Sequence, residues 1–143
     1  MIGVGNPHAG DDVAGRLVAK ILAGAPDADF DVVEASGEAS GLIALFEGRD
    51  HVVLIDACRS GSPPGTLHRF AAHKKALPAS LAAVSSHGFG ANAAIELARV
   101  LGLLPGNVIV HGIEGACFDP GSPPSEAVRV AADALAEKLL TSL

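Results

Sequence analysis

The chain has 143 residues, with 10 basic against 16 acidic side chains for a formal net charge of −6, and hydrophobic residues make up 49% of it against 18% charged. That is the size and composition expected of a single domain spanning residues 1–143 with one buried core, far from the disordered class. The acidic balance, with no Lys/Arg cluster, disfavours nucleic acid as a partner, and no apolar run approaches the stretch of about 20 residues that crosses a bilayer.

Residues 1–4 read as a first strand that closes in the turn cluster Gly5-Asn6-Pro7. No basic or apolar leader precedes Gly3, so a cytoplasmic location is expected. From Asp12 the period changes: Val13, Leu17, Val18, Ile21 and Leu22 recur at helical spacing, with Gly24 and Pro26 as stop signals. Residues 30–33 predict a second strand, and residues 38–46 a short helix with Leu42, Ile43 and Phe46 on one face. His51-Val52-Val53-Leu54-Ile55 is a continuous apolar run ending at Asp56, the pattern of a central strand covered on both faces. The Ser60-Gly61-Ser62-Pro63-Pro64-Gly65 stretch leaves no room for a crossover helix, so the strand expected at 66–70 is antiparallel. After a return through residues 71–86, a helix carries Ala91, Ala94, Ile95, Ala98 and Leu101 on one face. A strand is expected at 107–110. A last helix carries Val128, Ala131, Ala132, Leu135 and Leu139. This alternation predicts an α/β fold, a mostly parallel sheet with one antiparallel strand between helices on both faces. Such sheets bind ligands outside the carboxyl ends of their strands.

Three polar clusters fall at those ends. In Gly5-Asn6-Pro7-His8-Ala9-Gly10-Asp11-Asp12 the acids open a helix, and Asp11 is expected to serve as part of an N-cap pair. A nucleotide-binding loop is disfavoured, because Gly3-x-Gly5-x-x-His8 lacks the third glycine and the two acids would repel phosphate. Asp56, at the end of a buried strand, needs a partner or a metal, and a functional role is favoured over capping of the 57–61 loop. In Ser85-Ser86-His87-Gly88-Phe89-Gly90 a histidine opens a helix, where the N-terminus favours its neutral, metal-binding form. Asp12, Asp56 and His87 together make two carboxylates and one imidazole, a set suited to a borderline divalent ion.

The remaining candidates read as structural. Cys58 and Cys117 are too few for a disulfide framework and are expected as reduced thiols, and Cys58 as a small buried side chain rather than a nucleophile. Ser85 and Ser86 read as helix caps. Glu114, after the last strand, is balanced between lining the cleft and facing solvent, and His8, His51, His68 and His73 are expected on the surface.

In order and spacing, Gly3-Val4-Gly5-Asn6-Pro7 through Asp11-Asp12, then Leu54-Ile55-Asp56-Ala57, Ser86-His87-Gly88-Phe89-Gly90 and Gly112-Ile113-Glu114-Gly115 resemble the [NiFe]-hydrogenase maturation proteases. The resemblance implies a three-layer α/β/α sandwich around a five-stranded twisted sheet. It also implies an endopeptidase of the aspartyl type that removes a C-terminal extension from the hydrogenase large-subunit precursor after nickel insertion. By the same resemblance, Asp12, Asp56 and His87 are both the catalytic and the metal-binding residues. The nickel is recognised in the precursor and not tightly retained, and the enzyme acts as a monomer. Peptide cleavage then proceeds either through metal-bound water or through water activated by the paired acids. The competing expectation is a non-catalytic nickel-binding chaperone or sensor in hydrogenase assembly. The Ala35-Ser36-Gly37-Glu38 loop and His8 depart from the family's usual residues, at loops expected to contact the partner.

Overall fold

The computed structural model describes residues 1–26, 28–78 and 91–142. Its strands are β1 (Ile2–Val4), β2 (Val33–Ala35), β3 (His51–Cys58), β4 (Leu67–Ala71) and β5 (Asn107–Glu114). Its helices are α1 (Ala14–Ala23), which continues a 3-10 turn at Gly10–Val13, then α2 (Ala39–Phe46), α3 (Ala91–Leu101) and α4 (Glu126–Thr141). The strands form one five-stranded sheet in the order β2-β1-β3-β5-β4, parallel throughout except for β4, which runs antiparallel to β5. None of the helices is long and apolar enough to cross a membrane, among the described residues.

Period-2 alternation along the strands builds two apolar layers. Ile2, Val4, Val52, Leu54, Val108 and Val110 face Leu42 and Phe46 of α2 and Ala94, Ile95 and Ala98 of α3. Ile55, Ala57 and Ile113 face Val18 and Leu22 of α1 and Val128, Ala132, Leu135 and Leu139 of α4. Burying each of the larger side chains contributes about 1.5–3 kcal/mol. The same alternation has a second effect. Asp56 continues the Val52-Leu54 row and Glu114 the Val108-Val110 row, so both acids stand on the α2/α3 side beyond the end of the apolar layer.

Glycines set how closely α1 lies on the sheet. A Cβ on residue 15 would sit 2.1 Å from the Ile55 carbonyl oxygen and 2.4 Å from that of Val4. Only a residue without a side chain lets the first turn of α1 press onto β1 and β3 together. Gly3 makes the reciprocal approach, where a Cβ would lie 2.3 Å from the Gly15 carbonyl oxygen.

The expected architecture is the observed one, with shifts in individual elements. The second strand is Val33–Ala35, not 30–33, because only from residue 33 does the chain pair with β1. Phe30 and Val32 instead pack against the α1/α4 layer, and Asp31 bonds to Arg49 at 2.5 Å. The first helical segment opens as a 3-10 turn, and its buried face uses Ala14, Val18, Ala19 and Leu22, leaving Ile21 exposed. In α3, Leu101 is exposed rather than buried. β3 and β5 both run past their expected ends, pairing as far as Cys58 and Glu114. In β5 the pair His111-Gly112 does not end the strand: His111 is buried, and burial, then the charges of Arg69 and Lys138, lower its pKa to about 4, so it packs as a neutral ring. The helix expected to open at His87 falls outside the described residues up to Ala91.

Candidate active site at the carboxyl end of the sheet

The chain leaves β1 for β2 on one side and reaches β3 on the other, so β1 and β3 flank the topological switch point where open α/β sheets hold their ligands. The 3-10 turn that follows β1 carries Asp12, and β3 carries Asp56. Gly15 presses the two segments together, and this contact brings the two carboxyl groups into one crevice. Asp12 Oδ2 accepts the Asn6 backbone N–H at 2.9 Å, and Asn6 Oδ1 in turn accepts that of His8 at 2.9 Å. Arg16 Nε donates to the Gly5 carbonyl at 2.6 Å and ties this loop to α1. The loop also needs Gly5, since a Cβ there would meet the Asp12 carbonyl oxygen at 1.9 Å. Asp12 itself remains partly open to solvent.

Asp56 is almost enclosed, at 9% exposure. Its Oδ1 accepts the Ala57 N–H at 2.8 Å, and the Ala91 amide at the start of α3 also donates to it. Burial first, and the charge of Asp12 second, push its carboxyl well above the usual range, outweighing those two donors. The site therefore pairs a partly accessible acid with a buried acid whose pKa is raised. A buried carboxyl raised by burial and by a neighbouring acid is a candidate for proton transfer. The structure thus brings Asp12 and Asp56 together, while His87 lies outside the described residues.

Asp11 turns its back on this crevice. It is fully buried and does not cap its own helix. Its Oδ1 accepts the Ser125 N–H at 2.6 Å, while Oδ2 accepts Ala116 N–H at 2.7 Å, Cys117 N–H at 3.1 Å and Ser125 Oγ at 3.0 Å. Burial opposes its charge, yet these donors outweigh it and hold the pKa below the ordinary value. Asp11 thus fastens the 3-10 turn to the loop after β5 and to the N-cap residue of α4. Its structural role was expected, but its partners lie more than a hundred residues away.

Glu114 neither faces solvent nor opens into the crevice. It is 1% exposed and takes Ser60 N–H at 2.8 Å on Oε2. Its Oε1 takes Ser60 Oγ at 2.5 Å and lies 3.3 Å from His68 Nε2 and 3.6 Å from Cys58 Sγ. Burial works against the charge, but the donors led by Ser60 keep its pKa lowered. Cys58 is buried, and burial together with the Glu114 carboxylate pushes its thiol up, so it is no nucleophile. Neither expected surface histidine on β4 or just beyond it is freely exposed. His68 reaches Glu114, and His73 Nδ1 accepts the Val108 N–H at 3.0 Å.

This geometry can be set beside known proteins. The family model of the hydrogenase maturation proteases matches residues 16–142. The chain belongs to that family. A HycI-type [NiFe] hydrogenase maturation protease from Thermococcus kodakarensis is 25% identical, with a TM-score of 0.73 over 98% of this chain and 88% of that one. A hydrogenase 2 maturation peptidase from a Thaumarchaeota archaeon is 26% identical, with a TM-score of 0.67 over 99% of this chain and 94% of that one. The hydrogenase maturating endopeptidase HybD of Escherichia coli, 22% identical, shares the fold at a TM-score of 0.76 over 99% of this chain and 89% of its own. No curated protein matches by sequence. The five-stranded sheet with its one antiparallel strand, flanked among the described residues by four helices, is the fold of these proteases, and the family's activity is that of a hydrolase acting in hydrogenase maturation.

Proposed function

We propose that the chain is the endopeptidase that removes the C-terminal extension of a [NiFe]-hydrogenase large-subunit precursor after nickel insertion, recognising that nickel through Asp12, Asp56 and His87. The observation that carries this is the meeting of Asp12 and Asp56 at the β1/β3 switch point, where burial and the neighbouring Asp12 raise the pKa of Asp56. Carboxylate oxygen and imidazole nitrogen suit a borderline divalent ion, and a set of three leaves positions for ligands that the precursor keeps. The nickel arrives as part of the substrate, so its presence on the precursor signals that the extension is ready to be cut.

Asp12 is the accessible acid, and among the described residues only the Asn6 N–H bonds to its carboxylate. It is the group placed to take a proton from the attacking water. Asp56, whose pKa is raised in the metal-free protein, gives up its proton when it takes up the precursor's nickel. A proton transfer of the kind assigned to Asp12 contributes about 10²–10⁴-fold. The protein works as a monomer, and its partner is the precursor.

The test is mass spectrometry of a nickel-loaded large-subunit precursor incubated with the protein or with Asp12→Asn, alongside nickel-free precursor. Loss of a C-terminal peptide only from loaded precursor, and only with the native protein, is the expected result. Intact loaded precursor that still binds the protein would replace this reading with a non-catalytic nickel-binding chaperone.

A further inference from the structure

We propose that Cys58, His68 and Glu114 form a second metal site, for a borderline divalent cation of the zinc type, that clamps the edge strand β4 to the centre of the sheet. It uses none of Asp12, Asp56 or His87 and does not rest on the protease assignment.

The sheet register creates the site. Cys58 and Glu114 are paired neighbours on β3 and β5, and His68 on β4 is paired with Gly112 on β5. Alternation places all three side chains on the α2/α3 side of the sheet. Gly112 sits beneath them, where a Cβ would lie 3.2 Å from Cys58 Sγ and 3.6 Å from His68 Cβ. The missing side chain is what lets the thiol and the imidazole converge over β5.

Three candidate ligand atoms, one from each residue, lie within 4.8 Å of one another. The His68 Nε2 to Glu114 Oε1 distance of 3.3 Å and the Cys58 Sγ to Oε1 distance of 3.6 Å fit two descriptions, hydrogen bonds in the metal-free protein and edges of a metal polyhedron. As an N–H···O hydrogen bond the first is long against the usual distance of about 2.9–3.0 Å. As edges of a metal tetrahedron both fit: bonds of about 2.0–2.1 Å to nitrogen and oxygen and about 2.3 Å to sulfur give edges of about 3.3 Å and about 3.6 Å.

Charge and surroundings agree. One thiolate and one carboxylate neutralise a divalent ion, which a buried site requires. Ser60 orients the carboxylate from both sides, its N–H on Glu114 Oε2 at 2.8 Å and its Oγ on Oε1 at 2.5 Å, and the second lone pair of Oε1 turns toward the other two groups, the orienting role of outer hydrogen bonds at a metal centre. Glu114 and Cys58 are enclosed, while the His68 side chain keeps 18% exposure and provides the way in. On binding, the ion displaces the Cys58 thiol proton and takes the lone pair of His68 Nε2. Cys58 follows Asp56 by two residues on the same strand face, so the clamp would stiffen the floor of the acid pair.

The test is titration of chelator-stripped protein with Co²⁺, followed by displacement with Zn²⁺. The native protein should show a thiolate-to-cobalt charge-transfer band with tetrahedral ligand-field absorption, and zinc should raise its Tm. Cys58→Ser should abolish the band and the Tm rise, and His68→Ala should weaken binding at least about tenfold. Asp12→Asn and Cys117→Ser should leave the band in place. Glu114 is too deeply bonded to be the primary variant, and Cys58→Ser is close to isosteric, with circular dichroism to verify its fold. Absence of binding, bound cobalt without a thiolate band, a band that survives Cys58→Ser or one lost in Cys117→Ser would each overturn the proposal.

Discussion

Asp11 and Asp12 are consecutive, yet their carboxylates belong to two different regions. Asp11 faces inward to the corner where the 3-10 turn, the loop after β5 and the start of α4 meet, and four donors there surround it. Asp12 faces the crevice at the switch point, where it raises the pKa of another acid, Asp56. At the corner, hydrogen bonds overcome the cost of burial and the acid stays charged. In the crevice, burial and like charge win and the pKa of Asp56 is raised. A carboxylate surrounded by donors holds a fold together, whereas a carboxylate facing another carboxylate is poised for proton transfer.

Substitutions at the two regions should therefore separate activity from stability. Asp12→Asn should reduce precursor cleavage by about 10²–10⁴-fold with a urea midpoint close to that of the native protein; a parallel loss of stability would mean that Asp12, like Asp11, is structural. Asp11→Ala should do the reverse, leaving donors of residues 116, 117 and 125 unpaired in a buried corner at a cost of about 3–5 kcal/mol, read from chemical denaturation. Gly15→Ala should cost about 1–3 kcal/mol by overpacking and should also impair cleavage, since the new Cβ falls on the Ile55 and Val4 carbonyls that seat α1 between the two acids. It is the variant that damages both regions' geometry at once.

The smallest effect concerns pH, and its sign differs between the regions. Asp11 and Glu114 have lowered folded pKa values, so their stabilisation is present above the unfolded value of about 4 and is lost as pH falls through the folded ones. Asp56 has a raised folded pKa, so its contribution is present below the unfolded value and is lost as pH rises through the folded one. Asp56→Asn should consequently gain stability relative to the native protein at pH 7 and gain none at pH 4. Paired denaturation curves at those two values check this.

Much of this architecture could be read from local pattern. The run His51–Ile55 and the helical spacing of Val128, Ala131, Ala132, Leu135 and Leu139 carry their own burial information, and all five helix residues are buried. What local pattern lacks is the partner. Asp11 satisfies capping preference as well as Asp12 does, and only the arrival of Ser125 distinguishes them. The strand expected at 107–110 runs on to Glu114, and Gly112 within it is the position where the sheet needs no side chain. His68 looked like a surface residue because its neighbours Cys58 and Glu114 come from strands that are not adjacent to it in sequence. The alternation Asp56-Ala57-Cys58 held a signal that Cys58 shares a face with the candidate acid, and the strand pairing was needed to say what else stands there.

The account turns on Asp12 and Asp56 facing each other, and a carboxyl-carbon NMR titration of Asp56 in the metal-free protein tests that contact directly. The native protein should show Asp56 titrating well above the ordinary carboxylate range, and Asp12→Asn should lower its midpoint while burial keeps it raised. An Asp56 that titrates in the ordinary range, or one that Asp12→Asn leaves unmoved, would contradict the pairing of the two acids.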